Sequence, residues 1–223
     1  MNFPEAFTTT GSLLGLRRGS STTWLQHALS VEQEETGVRG WHRLLWIVNE
    51  PLAGEVSTGV ESFSYPFLFR SSSEREHALL FGNQGVLVET FLKRCLPKAR
   101  VFCPALEIPR LVKDLVAEPV QYSMSAIYAR VEGYGQNLRT MALYGSDVGN
   151  ADVLRDLLPA LQAYRVTLRR IDTGKEVLSI GSRGEASFLY RGKNSLRNVD
   201  AVLRFLTNKR YIDWSRQLTM SLR

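Results

Sequence analysis

Residues 164–180 read YRVTLRRIDTGKEVLSI. Side chains along a strand alternate between faces. An extended Tyr164–Ile171 therefore puts Val166 and Leu168 on one side and Arg165, Thr167 and Arg169 on the other. Asp172-Thr173-Gly174 is turn chemistry, and Lys175 to Ile180 returns the chain. The segment predicts an antiparallel hairpin with one apolar face, and that face needs a covering layer.

The surrounding sequence supplies that layer. Downstream, Gly181 and Gly184 lead to a third strand, Ser187 to Arg191. Ser195 then caps a long helix with Leu196, Val199, Leu203 and Leu206 at helical spacing. Upstream, Tyr122, Met124, Ala126 and Tyr128 alternate with serines, Gly133-Tyr134-Gly135 turns the chain, and Leu138 to Tyr144 returns it. Asn150 is placed to cap a helix in which Val153, Leu154, Leu157, Leu158 and Leu161 share a face and which Pro159 interrupts. The C-terminal half thus reads β-β-α-β-β-β-α, and the fold class is α+β, a mainly antiparallel sheet with packed helices.

Residues 23–118 read as an N-terminal α+β region. It opens with a helix from Thr22 to Glu35, capped by Ser21. Trp41 to Val48 reads as a buried strand, with a short helix as the alternative. Phe63, Tyr65, Phe67 and Phe69 alternate along a strand that Pro66 confines to an edge or a bulge. Such a row can stack bases, but it more commonly fills a core. A hairpin around Gly82–Gly85 competes with a helix from Val86. Val101 to Cys103 is a short strand, and a helix from Pro109 buries Leu111, Val112, Leu115 and Val116 before Pro119 ends it. The pattern changes near Glu118, so 119–223 forms a second, basic region that either stands alone or shares a core with 23–118. Residues 1–22, hydroxylated and punctuated by glycine, read as a flexible arm or, through residues 11–16, a docking segment for a protein partner.

The charge is uneven. Residues 164–223 hold 13 Lys and Arg against 5 Asp and Glu, a net of +8, whereas residues 1–163 hold 15 against 17, a net of −2. Clustered cations of this kind suit phosphates, whose neutralisation releases counterions. Arg165, Arg169, Arg183, Arg191, Lys193 and Arg197 are the nucleic-acid-binding candidates. The last three flank the start of the final helix, where free N–H groups favour an anion.

No apolar run reaches the 18 or so residues of a membrane helix. The N-terminus lacks a secretory pattern, and Glu5 with the early glycines argues against a transit peptide. Cys95 and Cys103 read as reduced thiols, so a cytoplasmic, nucleoid or nuclear location is expected. No motif announces a metal, a cofactor or a catalytic set, and none is expected. The expectation is a DNA- or RNA-binding protein, or the binding subunit of a complex, rather than an enzyme. The alternatives are an assembly subunit whose basic surface meets an acidic protein and, less favoured, a nuclease or other phosphoryl-transfer enzyme.

Overall fold

The computed structural model describes residues 3–13, 15–16, 31–51, 60–71, 78–82, 101–132 and 140–218. Their strands are β1 (Phe7–Leu13), β2 (Gly15–Leu16), β3 (Val31–Glu35), β4 (Trp41–Pro51), β5 (Val60–Ser71), β6 (Ala78–Gly82), β7 (Val101–Leu106), β8 (Tyr122–Val131), β9 (Thr140–Tyr144), β10 (Leu161–Arg170), β11 (Glu176–Gly181), β12 (Glu185–Tyr190) and β13 (Ile212–Leu218). The helices are α1 (Ile108–Ala117), α2 (Asp152–Leu157) and α3 (Lys193–Asn208). This is the expected α+β class with antiparallel sheet. The C-terminal elements follow the expected order and add one further strand, β13.

A ten-stranded sheet runs β3-β4-β5-β6-β1-β12-β11-β10-β8-β9, and β13-β7-β2 form a smaller one. The larger sheet crosses the expected boundary near Glu118, with strands from both sides of it joined at β1. Trp41 and Leu68 pack in the same apolar cluster as Val166, Leu168, Leu196 and Leu203. α1 packs on β10 and β8, and α3 on β11 and β12.

The part of the expected arm that forms β1 lies inside the sheet, paired with β12 on one side and β6 on the other. Thr8, Thr9 and Thr10 are β-branched and suit a pleated surface. The Thr9 hydroxyl, fully buried, donates to the Phe188 carbonyl at 3.0 Å and accepts its N–H at 3.1 Å, so a polar side chain is satisfied in the core.

Other local expectations are also corrected. Val31–Glu35 is strand rather than the end of a helix. It pairs with β4, where Glu34 meets Arg43 at 3.3 Å across the ladder; residues 17–30, including the expected cap Ser21, lie outside the described residues. The β6 ladder on β5 begins at Phe67, one residue after Pro66. Phe67 and Phe69 are buried, as a core role requires. The turns expected at 83–85 and 133–135 lie outside the described residues. Ala151, not Asn150, precedes α2. Asn150 instead closes a 3-10 turn and bonds Asp147 and Arg155. Leu161 opens β10 because a 3-10 turn through Pro159 ends the helix first. Gly192 (φ 74°) holds the N-cap position of α3. Ser195 sits one turn in, where its Oγ donates to the Gly192 carbonyl at 2.7 Å and accepts the Arg191 N–H at 2.9 Å.

Tyr211 is buried where β13 begins. Its hydroxyl donates to Asp114 Oδ2 at 2.7 Å, and the Arg110 guanidinium lies 5.3 Å from its ring centre. Burial, then the Asp114 bond, pushes its pKa up to about 12. An unfolded tyrosine ionises near pH ~10, so this protonated phenol stabilises the fold fully below that value. The stabilisation is lost as pH rises from about 10 to 12. Denaturant midpoints measured across this window should fall with pH, and less steeply for Tyr211→Phe. An identical slope in the variant would show that Tyr211 does not carry the effect.

Candidate nucleic-acid interface

Val166 and Leu168 of β10, Leu178 and Ile180 of β11, and Ala186 and Phe188 of β12 all point into the helix-covered core. Residues of the other parity therefore face away from the helices. Two bulges decide which residues these are. On β10 the register shifts between Ala163 and Arg165, so Tyr164 and Arg165 turn outward in succession before Val166 is buried. On β8, Met124 pairs with Leu168 and Ala126 with Thr167, leaving Ser125 as the extra residue. Met124 and Ile127 are both buried in consequence, and Tyr128 turns outward.

The outward residues meet. Arg165 crosses its neighbours, donating from Nε to Ser179 Oγ at 3.0 Å on β11 and from Nη2 to Ser187 Oγ at 3.1 Å on β12. Its guanidinium carbon lies 6.0 Å from the Tyr128 ring centre. Tyr128 stands edge-to-face with Tyr144 at 5.6 Å and tilted against Tyr164 at 6.5 Å. The Tyr144 hydroxyl donates to that of Tyr128 at 2.9 Å, and this bond raises the Tyr144 pKa above the usual phenol value. Tyr144 is 67% exposed and Tyr164 38%. Three tyrosines from three adjacent strands thus form a solvent-facing cluster backed by an arginine. Of the acids on the neighbouring strands, Glu176 accepts from Ser125 Oγ at 2.7 Å, and Glu185 accepts the Arg183 N–H at 3.1 Å.

The six residues expected to bind phosphate do not form one surface. Arg165 lies within the tyrosine cluster. Arg169 shares its strand, but its guanidinium donates to the Ser146 carbonyl and lies against Gly174, where an added Cβ would come within 2.6 Å of it. Arg183 is exposed in the β11–β12 turn, which docks beside the cluster through the Ser182 N–H on the Tyr164 carbonyl at 2.7 Å. Arg191, Lys193 and Arg197 are exposed at the opposite end of β12, about 20 Å along the strand. They surround the start of α3, which packs on the other face of the sheet. Among the described residues, none of the six is ion-paired to a carboxylate.

The tyrosines were not among the candidates read from the sequence. Simple alternation groups Tyr128 with Tyr122 and Met124 on one apolar face, and only the bulge separates them. The adjacency of Tyr164 to Arg165 was the one available signal.

No three His, Cys, Asp or Glu converge on a possible metal position among the described residues. At the Asp172–Lys175–Glu176 tip, Asp172 is bonded to Arg170, which holds its carboxyl below the usual range. No helix among the described residues is long and apolar enough to cross a membrane. No protein-family model matches the chain, and no curated protein matches it.

Proposed function

We propose that this protein binds single-stranded nucleic acid across the tyrosine-lined face of its large sheet. The observation that carries the proposal is the cluster of Tyr128, Tyr144 and Tyr164 over Arg165 on an antiparallel sheet, with Tyr144 and Tyr164 exposed. Every base has a π-face, so tyrosines of this kind bind strands with little regard to sequence. Unpaired bases reach such a platform, whereas the bases of a duplex are already stacked on one another. Arg183 beside the cluster meets phosphates, and Arg165 holds positive charge beneath the rings. The net of +8 over residues 164–223 steers a polyanion to this half of the chain. Arg191, Lys193 and Arg197 form a second basic patch that a longer strand reaches around the sheet end.

The test is binding of the purified protein to short single- and double-stranded DNA and RNA at about 50 and 200 mM salt. Single strands should bind more tightly than duplexes of equal length, and both should weaken as salt rises. Absence of binding to all four at low salt would overturn the proposal and leave an acidic protein as the partner for the basic surface.

A further inference from the structure

The two edges of the ten-stranded sheet are built differently. β3, at one edge, carries Glu32, Glu34 and Glu35 among its five residues. Charges on an edge deter pairing with another strand. If β3 paired antiparallel with its own copy about Gln33, Glu32 would face Glu34 twice, and like charges directly opposite repel. β9, at the other edge, reads Thr-Met-Ala-Leu-Tyr and has no charge, proline or bulge among those residues. β8 is its one neighbour among the described residues.

The side of β9 away from β8 also has the right backbone polarity. The Gly145 N–H donates to the Ser125 carbonyl at 3.0 Å. Antiparallel bonding alternates along a strand, so Thr140, Ala142 and Tyr144 direct their N–H and C=O groups away from β8. Their side chains are exposed, while Met141 and Leu143 are partly buried against the core.

We propose that β9 pairs with β9 of a second copy, antiparallel about a two-fold axis at Ala142, joining the two large sheets edge to edge. The register is self-complementary. Ala142 faces Ala142, Met141 faces Leu143 on the core side, and Thr140 faces Tyr144 on the outer side. No like charges oppose one another. A two-fold axis normal to the sheet keeps faces together, so the tyrosine clusters of both copies lie on one continuous surface. The pairing rests on the chemistry of the edge and stands whether or not that surface binds nucleic acid.

Register-specific cross-linking tests it directly. Residues directly opposite have Cα atoms about 5.5 Å apart in a hydrogen-bonded pair, within disulfide reach. Ala142→Cys in the full chain should form a covalent dimer on oxidation. Thr140→Cys, which faces Tyr144, should remain at the level of the unsubstituted protein with its own Cys95 and Cys103. Ala142→Pro removes only an outward N–H, a tolerated position for proline on an edge. It should leave the circular-dichroism spectrum unchanged while weakening self-association in sedimentation about tenfold or more. Equal cross-linking of the two cysteine variants, or self-association indifferent to Ala142→Pro, would overturn the proposal.

Discussion

Asp200→Ala is expected to destabilise the protein by about 3–5 kcal/mol, the cost of removing one partner from a buried ion pair. Asp200 is 6% exposed, although it lies on α3. Its Oδ1 accepts from Arg70 Nε at 2.6 Å and Trp41 Nε1 at 3.3 Å, and its Oδ2 from Arg204 Nη2 at 2.8 Å. Arg70 ends the aromatic stretch of β5 and Trp41 opens β4. One carboxylate therefore ties the last helix to two strands more than 120 residues earlier. Without it the Arg70 charge stays largely buried with its counter-charge gone, a loss that repacking does not restore. Arg204 is 65% exposed, so Arg204→Ala should cost no more than about 1 kcal/mol. Urea unfolding of both variants checks the contrast. Equal and small losses would show that the buried pair contributes no more than an exposed one.

Replacing Tyr144 and Tyr164 together by alanine is expected to weaken single-strand binding at least about 30-fold. Each base–aromatic stack contributes about 1–3 kcal/mol by alanine substitution, and roughly 2 kcal/mol corresponds to that factor. Both rings are exposed, so the loss should come without a matching loss of stability. The paired phenylalanine variants keep the π-faces and surrender only the Tyr144–Tyr128 hydroxyl bond. They should bind within about threefold of the unsubstituted protein. Charge reversal at Arg191 and Lys193 should reduce the salt slope while leaving the preference for single strands, because those side chains lie away from the rings. Alanine variants that bind as well as the parent would show that these rings do not stack the bases.

The hairpin at 164–180 was legible because its alternation is local. Val166 and Leu168 are buried, and Gly174 adopts the positive φ of 63° that its turn requires. The elements that escaped have their reasons elsewhere in the chain. β1 shows little apolar alternation, and Thr9 is at home in the core only because Phe188, 179 residues away, satisfies its hydroxyl. β3 has a single apolar residue, Val31, and β4 supplies the rest of its ladder. β13 follows the last helix directly, and its partner β7 lies a hundred residues upstream. The candidate site was hidden for a narrower reason. A period-two pattern carries no mark of the single extra residue at Ser125 or Tyr164, and each bulge reverses which side chains meet solvent. The charge asymmetry of the last 60 residues was plain in the sequence. That helices cover one face, and so separate Arg165 from Arg191, Lys193 and Arg197, was not.

Ultraviolet cross-linking of a bound single-stranded oligonucleotide, followed by peptide mapping, shows which side chains the bases touch. Adducts should concentrate on Tyr144 and Tyr164, with Tyr128 less reactive behind them. Adducts confined to the segment around Arg191, Lys193 and Arg197, or to the Phe63–Phe69 strand, would contradict binding on the tyrosine face.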